Sequence, residues 1–286
     1  MKLEDIKIRD PFILADAKTK KYYLYGTTEY YQGIGFYCFL SDDLISWDGP
    51  IKVFEPPVDF WGTEDYWAPE VHIYHDGYYM FATFKGKNHA RSTLILSSSS
   101  PCGPFKIHSS LITPKDWECL DGTLYVDKED NPYMIFCHEW LQVEDGTICA
   151  IPLSKDLKSA IGEPVLLFRG SDAKWSENPN WYPKPIHVTD GPFVFEKNGV
   201  HALLWSSFGK ENYRIGVAYP KDSFVKSDYV QEEQALPIKS GGHGMIFSSF
   251  ENKDYLIVHV NNESQGEECP KIIPITFQNG KCEVLE

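Results

Sequence analysis

The sequence predicts an all-β protein, a five-bladed β-propeller. Five segments share one pattern: a polar residue beside proline or glycine, a strand-like run, a turn, and a second strand rich in tyrosine, phenylalanine or leucine. The segments are 10–28, 68–84, 121–139, 190–207 and 243–260, so their starts lie 53 to 69 residues apart. Similar units at such a spacing are typical of a repeat architecture.

Each segment is expected to form a β-hairpin. Residue pairs suited to tight turns occur in three of them: Asp76-Gly77, Asp130-Asn131 and Asn198-Gly199. A second pair of strand-like runs follows most segments, as in 35–50, 92–108 and 147–168. Four strands in each of five units make the blades of a propeller, whereas a two-sheet sandwich does not predict five similar units. Because there is no linker, low-complexity tract or long amphipathic helix, residues 1–286 are expected to form one domain.

The composition limits the possible partners. Of the 286 residues, 42% are apolar and 15% aromatic, enough for a sizeable core. A net charge of −14 disfavours binding to nucleic acid, and no apolar run is long enough to predict a membrane span. The N-terminus is acidic and has no apolar stretch, which predicts a cytoplasmic protein, although a trimmed secreted chain would look the same. The seven cysteines lack C-x-x-C spacing, so free, buried thiols are expected.

The starts of the five units are expected to converge, because the first strand of each propeller blade lines the central channel. The residues expected there are Asp10, Glu70, Asp121, Asp190 and His243. Carboxylates at close range repel and raise each other's proton affinity, so such a cluster indicates a functional site. The alternative is that aspartate before glycine or proline is ordinary turn chemistry. Turn chemistry readily explains one such aspartate, but it explains three aspartates at the same position of the repeat less well.

Glycoside hydrolysis needs what this arrangement offers. A protonated carboxyl donates to the leaving oxygen, an ionised carboxylate activates water or attacks carbon, and a third acidic group tunes the acid. Trp67 or Trp140 is expected to flank the site, since a ring face can cover the apolar face of a sugar. The loop 170–187, rich in tryptophan and proline, is expected to face the substrate, with an ordered spacer as the alternative.

At this point the residues resemble glycoside hydrolase family 43, whose members are five-bladed propellers that act on arabinosides and xylosides by inversion. The motifs that carry the resemblance are Arg9-Asp10-Pro11-Phe12, Trp67-Ala68-Pro69-Glu70-Val71, Leu120-Asp121-Gly122, Thr189-Asp190-Gly191-Pro192 and Gly242-His243-Gly244. The resemblance implies that Asp10 is the general base, Asp121 the carboxyl that tunes the acid and Asp190 the general acid. It further implies an arabinose- or xylose-containing plant-type oligo- or polysaccharide as substrate, bound with the help of Glu70 and His243.

The resemblance departs from the family pattern at the acid, which is usually glutamate. Asp190 is shorter by one methylene, roughly 1.5 Å of reach, and proton donation is sensitive to such a displacement. Glu139, beside Trp140, is therefore the alternative acid, and a solvated strand end is the other interpretation of Glu139. No cofactor is expected to be required, but the resemblance implies an axial Ca²⁺ or Na⁺ ion, or a water molecule as the alternative, near His243.

Two other functions remain open at this stage. Because aspartate replaces the usual glutamate at position 190, one alternative is a carbohydrate-binding propeller that is catalytically weak or inert. Fructan and sucrose hydrolases also use an Arg-Asp-Pro motif, but in the middle of their domain and before a Glu-Cys-Pro motif. Here Arg-Asp-Pro opens the chain, and Glu268-Cys269-Pro270 lies near the C-terminus, so we interpret the latter as a coincidence.

Overall fold

The computed structural model describes residues 1–28, 34–210, 212–225 and 227–285, and its strands form five sheets of four strands each. The first three sheets contain β1 (Arg9–Asp16), β2 (Lys21–Thr27), β3 (Phe36–Ser41), β4 (Asp48–Phe54), β5 (Glu64–Tyr74), β6 (Gly77–Gly86), β7 (His89–Ser98), β8 (Lys106–Ile107), β9 (Cys119–Val126), β10 (Pro132–His138), β11 (Thr147–Pro152) and β12 (Val165–Arg169). The last two contain β13 (Asp190–Lys197), β14 (Val200–Gly209), β15 (Asn212–Pro220), β16 (Tyr229–Gln231), β17 (Gly241–Ser248), β18 (Asp254–Val260), β19 (Cys269–Gln278) and β20 (Lys281–Val284). The helical segments are α1 (Trp140–Val143) and the 3-10 turns Leu3–Asp5 and Gly170–Asp172.

The strands of each sheet follow one another in chain order and pair antiparallel. The first strands of the five sheets, β1, β5, β9, β13 and β17, contact one another in a closed ring. The sheets are therefore the blades of a five-bladed propeller, and the predicted fold is confirmed. The last blade is built from the C-terminal strands alone, and the Leu3–Asp5 turn packs against its strand β19, as expected for chain ends that meet beside this blade.

The middle strands of the blades are buried on both faces because neighbouring blades pack face to face. Leu24 and Tyr25 of β2 and Ile135 and Phe136 of β10 are fully buried. Such strands read as continuous apolar runs rather than as alternating ones. Truncation of one of these large side chains to alanine typically costs about 2–5 kcal/mol of stability.

The predicted hairpins form, and the turn between β13 and β14 shows why its residues suit it. Asn198 and Gly199 have φ values of 51° and 77°, the left-handed pair that a two-residue hairpin turn requires. The seven cysteines are free thiols, five of them buried and two half-buried. Within the described ranges, no helix is long and apolar enough to span a membrane.

Candidate active site

The innermost strand of each blade contains a β-bulge in its N-terminal half. The ladder is interrupted between Arg9 and Phe12, Trp67 and Glu70, Leu120 and Thr123, Asp190 and Phe193, and Gly242 and Met245. One residue in each interruption has left-handed φ: Asp10 (53°), Ala68 (45°), Asp121 (56°), Gly191 (52°) and His243 (43°). We call these five the bulge residues. Such a conformation costs a non-glycine residue about 1–3 kcal/mol, and it clusters at functional sites.

The backbone N–H of every bulge residue is bound by a side chain of the preceding blade. In four blades the acceptor lies on the second strand: Thr27 accepts from Ala68 (2.8 Å), Thr83 from Asp121 (2.9 Å), Ser206 from His243 (2.7 Å) and His259 from Asp10 (3.2 Å). In the third blade Cys137 occupies the equivalent place on β10. There the Asp121 carboxylate accepts the N–H of Gly191 instead, at 2.9 Å. These bonds fix the bulges relative to one another across the blade boundaries.

In the first and third blades the bulge brings two consecutive side chains of the innermost strand to one cavity, Arg9 with Asp10 and Leu120 with Asp121. In a regular strand neighbouring side chains point to opposite faces, and a bulge redirects one of them. Bulge residues and the residues just before them both line a cavity of about 300 Å³ on the propeller axis. The lining residues are Arg9, Asp10, Thr27, Trp67, Leu120, Asp121, Glu139, Trp140, Trp181, Val188, Asp190, Phe208, Tyr213 and His243. Seven of the eight residues predicted for the site are among them.

Glu70 is the predicted residue that the cavity lining lacks. It lies two positions beyond the bulge residue Ala68, so the expectation that it shares a repeat position with Asp10 is wrong. Its carboxylate is buried and bonds to His72, with 3.0 Å between Oε2 and Nε2. The error arose because the repeats were aligned on acidic residues and not on the bulges. Asp190 is also offset, by one position from Gly191, but it still lines the cavity.

Asp10 is held as a carboxylate by its surroundings. Its Oδ1 lies 3.1 Å from Nδ1 of His243, and Thr27 donates its hydroxyl to Oδ2 at 2.6 Å. Burial raises the pKa of Asp10, but the charges of His243 and Arg9 outweigh burial and hold the pKa below its ordinary value. Asp10 therefore accepts a proton less readily than a free aspartate but remains available as a base at neutral pH.

Asp121 and Asp190 have the opposite character. Burial raises the pKa of Asp121 to about 7, against the charge of His243, whose Nδ1 lies 3.6 Å from its Oδ2. Burial likewise raises the pKa of Asp190, although Tyr213 donates its phenol hydroxyl to Oδ2 at 2.9 Å. Burial lowers the pKa of His243, but the carboxylates of Asp10, Asp121 and Asp190 together outweigh it and raise that pKa.

Glu139 lies at the end of β10, directly before α1, and is buried. The solvated strand end considered from the sequence is therefore wrong. Its Oε2 accepts a hydrogen bond from Nη1 of Arg91, and Arg91 also bonds to Asp65 through Nε and Nη2 at 2.9 and 2.7 Å. Burial raises the pKa of Glu139 to about 7 in spite of the Arg91 charge.

Tryptophan rings form the wall of the cavity. Arg91 stacks on Trp67, with 4.6 Å from the guanidinium carbon to the ring centroid. Trp140 packs edge-on against Trp181, with 5.9 Å between centroids. Trp181 lies in the loop 170–187, lines the cavity and is 57% exposed. The loop therefore faces the cavity, as expected from the sequence, and contributes an exposed tryptophan ring to it, a side chain suited to contact with a sugar.

Three residues that shape the site, Arg9, Arg91 and Tyr213, were not predicted from the sequence. Arg9 was read only as part of a motif, although it precedes a bulge residue and lines the cavity. Tyr213 lies at the start of β15, 23 residues from its partner Asp190. Arg91 lies on β7 and does not line the cavity. No repeat pattern marks Arg91 or Tyr213, and only the folded chain brings them into contact with Glu139 and Asp190.

The expected axial ion stays a prediction. Within the part of the chain that the structure describes, no group of three or more histidine, cysteine, aspartate or glutamate side chains is arranged to hold a metal ion. Nδ1 of His243 faces the carboxylates of Asp10 and Asp121, so this nitrogen is engaged in the acidic cluster.

A larger groove of about 460 Å³ lies at the opposite ends of the innermost strands, between the third and fourth blades. Its lining includes the half-buried rings of Tyr125, Tyr133 and His201, with Asp127 and Lys128 at its edge. The groove is the larger of the two, but the raised and lowered carboxyl pKa values occur together at the axis. The axial cavity is therefore the candidate active site.

The pKa directions predict the pH dependence of catalysis. Asp10 is ionised above its ordinary pKa of 3.8, and carboxyls with a pKa of about 7 keep their proton below that pH. The value of kcat/KM is therefore expected to be highest in the mildly acidic range and to fall as the acid ionises, near pH 7 if the acid is Glu139 and, if it is Asp190, at a pH above the ordinary pKa of an aspartate. Initial rates on an oligosaccharide, whose leaving sugar alkoxide needs the acid, measure it across this range, and a rate that still rises above about pH 8 contradicts the assignment.

The fold and the site define the class of the protein: a five-bladed propeller whose buried axial carboxylates, set beside tryptophan rings, are equipped for acid–base chemistry on a sugar. The sequence profile of Glycosyl hydrolases family 43 matches residues 5–281, and the chain belongs to this family. The crystal structure of an endo-arabinase from Bacteroides thetaiotaomicron VPI-5482 is 40% identical and superposes with a TM-score of 0.92, over 98% of both chains.

Two further similarities extend the comparison. The extracellular endo-alpha-(1->5)-L-arabinanase 1 of Bacillus subtilis strain 168 is 23% identical over 217 residues, covering 71% of this chain and 62% of that protein. The chain thus spans about three fifths of the length of the curated relatives it matches. An endo-1,4-beta-xylanase structure from B. thetaiotaomicron VPI-5482 has a TM-score of 0.77 at 24% identity, covering 98% and 95% of the two chains, and shares the fold.

Proposed function

We propose that the protein hydrolyses α-L-arabinofuranosidic bonds in arabinose-containing polysaccharides. The observation that carries the proposal is that one cavity holds a carboxyl with a lowered pKa together with carboxyls whose pKa values are raised. Asp10 has a lowered pKa, and Asp121, Asp190 and Glu139 have raised ones. Environments that push carboxyl pKa values apart distinguish the base of a reaction from its acid.

The proposed reaction is a direct displacement by water. Asp10 removes a proton from a water molecule, whose oxygen attacks the anomeric carbon. The glycosidic bond breaks, and Asp190, or Glu139 in its place, donates a proton to the leaving oxygen. Asp121 shares His243 with Asp10 and contacts the backbone of Gly191, which suits a group that tunes the acid. In an inverting enzyme the base and acid carboxyls lie roughly 6.5–9.5 Å apart, and we propose inversion here.

Arabinose is proposed as the sugar because of the relatives. The B. thetaiotaomicron structure at 40% identity is described as an endo-arabinase, and the B. subtilis relative as an arabinanase. The xylanase structure makes a β-D-xyloside the second candidate. An inert sugar-binding propeller is disfavoured by the separated carboxyl pKa values, since binding alone does not require a lowered and a raised pKa in one cavity.

A turnover screen tests the proposal. We expect the protein to release nitrophenol from an aryl α-L-arabinofuranoside, and to cleave linear α-1,5-arabinan, faster than the β-D-xyloside and xylan. NMR of the first product formed is expected to show the inverted anomer. Faster cleavage of the xyloside would show that xylose, not arabinose, is the preferred sugar. A retained anomer would show a retaining mechanism, and binding of arabinan without turnover would show that the propeller is a catalytically inert sugar-binding protein.

A further inference from the structure

We infer that Arg9 binds hydroxyl groups of the sugar beside Asp10, and that the buried carboxylate of Glu268 positions its guanidinium for this. The inference rests on the proposed function, because it takes a sugar as the ligand of the axial cavity. Neither residue was assigned a role by the sequence analysis, which interpreted the Glu268-Cys269-Pro270 motif as a coincidence.

The repeat places Arg9 in the site. It immediately precedes the bulge residue Asp10, the position that Trp67 and Asp190 hold in their own blades. All three residues line the cavity. Burial lowers the pKa of Arg9, yet the charges of Asp10 and Glu268 outweigh it and raise that pKa. The guanidinium is therefore at the cavity wall, close to the proposed base.

The buried Glu268 side chain is positioned to orient the Arg9 guanidinium. Its side chain is 1% exposed, whereas that of Arg9 is 33% exposed. One carboxylate oxygen accepts a hydrogen bond from Nη1 of Arg9 at 3.2 Å, and the other accepts the backbone N–H of Gly266 at 2.6 Å. With both oxygens engaged, the carboxylate is fixed in the last blade while it holds a side chain of the first. A buried charge requires such a partner.

The hydrogen bonds of Arg9 show what the cavity side offers. A guanidinium carries five N–H donors in a planar fork. Within the described residues, its only hydrogen-bonded partner is Glu268, through Nη1. Four donors therefore remain on a side chain that is 33% exposed and lines the cavity. The neighbouring Asp10 carboxylate accepts hydrogen bonds from sugar hydroxyls, and Arg9 supplies the complementary donors that a hydroxyl oxygen needs.

Two substitutions and one matched control test the inference. Arg9→Lys keeps the charge and loses the fork, and Glu268→Gln replaces an acceptor oxygen by an amide that clashes with the Gly266 donor. Both are expected to raise KM for an aryl α-L-arabinofuranoside by about 10- to 100-fold, with a smaller change in kcat. The control is Glu267→Gln, the same change one residue earlier, where the carboxylate is exposed and pairs with Lys7. It is expected to leave KM unchanged.

Deoxygenated substrates separate binding from support of the fold. The wild type is expected to bind at least one singly deoxygenated arabinofuranoside more weakly than the parent, and Arg9→Lys is expected to lose most of that discrimination. A purely structural Arg9–Glu268 pair would lower the melting temperature and leave the discrimination intact. If Glu268→Gln does not fold, Arg9→Lys and Glu268→Asp provide the measurement.

The outcomes distinguish this inference from the proposed function. Unchanged KM and unchanged discrimination in folded variants of an active enzyme overturn the inference and leave the function standing. If the wild type turns over no glycoside, the function fails, and calorimetric titration with arabinotriose then decides: weaker binding by Arg9→Lys supports the inference. Equal binding by both proteins, or none by the wild type, overturns it.

Discussion

Replacement of Asp10 by asparagine is expected to abolish turnover, even of aryl glycosides with good leaving groups. Water attacks the anomeric carbon in every case, and it still needs a base when the leaving group departs unaided. A positioned general base contributes about 10²–10⁴-fold to the rate, so kcat is expected to fall by at least this factor. The measurement is nitrophenol release at pH 6, between the pKa of Asp10 and the alkaline fall.

The control for Asp10→Asn is Asp16→Asn, at the opposite end of the same strand. Asp16 is buried and accepts hydrogen bonds from Thr19 and Tyr78, but it does not line the axial cavity. Its replacement is expected to lower the melting temperature and to leave kcat nearly unchanged. Equal losses of activity in both variants would mean that Asp10 supports the fold and is not the base.

The fold was predictable because the sequence signals that define it, tight-turn residues and apolar strand runs, each lie within a short segment of the chain. Hairpin pairs such as Asn198-Gly199 mark turns, and runs such as those of β2 and β10 mark strands that are buried on both faces. These signals recur five times, and only a radial arrangement gives each unit the same surroundings. The closing of the ring also needs no special signal, since the last blade forms wholly from the C-terminal strands.

The site was predictable only in part, because its register depends on backbone geometry. The bulge residues Asp10, Ala68, Asp121, Gly191 and His243 are each followed by proline or glycine. Alignment on that feature would have placed Ala68 and Gly191 at the repeat position and removed Glu70. It would also have pointed to the preceding residues, and hence to Arg9. The acidic residues seemed the stronger signal, but the bulge determines which side chains reach the axis.

The partners that set the pKa values were not predictable, because they come from distant parts of the chain. Glu268 reaches Arg9 from 259 residues away, and Arg91 reaches Glu139 from 48. Tyr213 meets Asp190 from the third strand of its blade. Each is a single charged or polar residue in an ordinary strand or loop, so neither spacing nor composition distinguishes it. Their contribution is visible only once burial and distance are known.

Two buried carboxyls, those of Asp190 and Glu139, are candidates for the general acid. Asp190 lies one residue before its bulge, at the position of Trp67 and Arg9, and accepts a hydrogen bond from Tyr213. Glu139 has the longer side chain and a pKa raised to about 7, but Arg91 bonds to its Oε2. Arg91 occupies Oε2 of Glu139, whereas Asp190 lines the cavity directly before a bulge residue, so we expect Asp190 to be the proton donor.

Asp190→Asn is accordingly expected to slow the hydrolysis of arabino-oligosaccharides by about 10²–10⁴-fold and that of a nitrophenyl arabinofuranoside far less. A nitrophenolate departs with little protonation, whereas a sugar alkoxide needs the acid. Glu139→Gln is expected to change both rates by a similar, smaller factor, since it removes the partner of Arg91 and not the proton donor. Glu144→Gln, an exposed glutamate that follows α1, is the matched control and is expected to behave as the wild type.

The ratio of the two rates identifies the acid independently of any loss of folded protein. If Asp190 is the acid, the ratio of nitrophenyl to oligosaccharide turnover rises in Asp190→Asn alone. If Glu139→Gln loses only the oligosaccharide while Asp190→Asn retains both activities, Glu139 is the acid and Arg91 is the group that positions it. The alkaline fall of kcat/KM on the oligosaccharide gives a second readout, because it disappears from the residual activity of whichever variant lacks the acid and persists in the other.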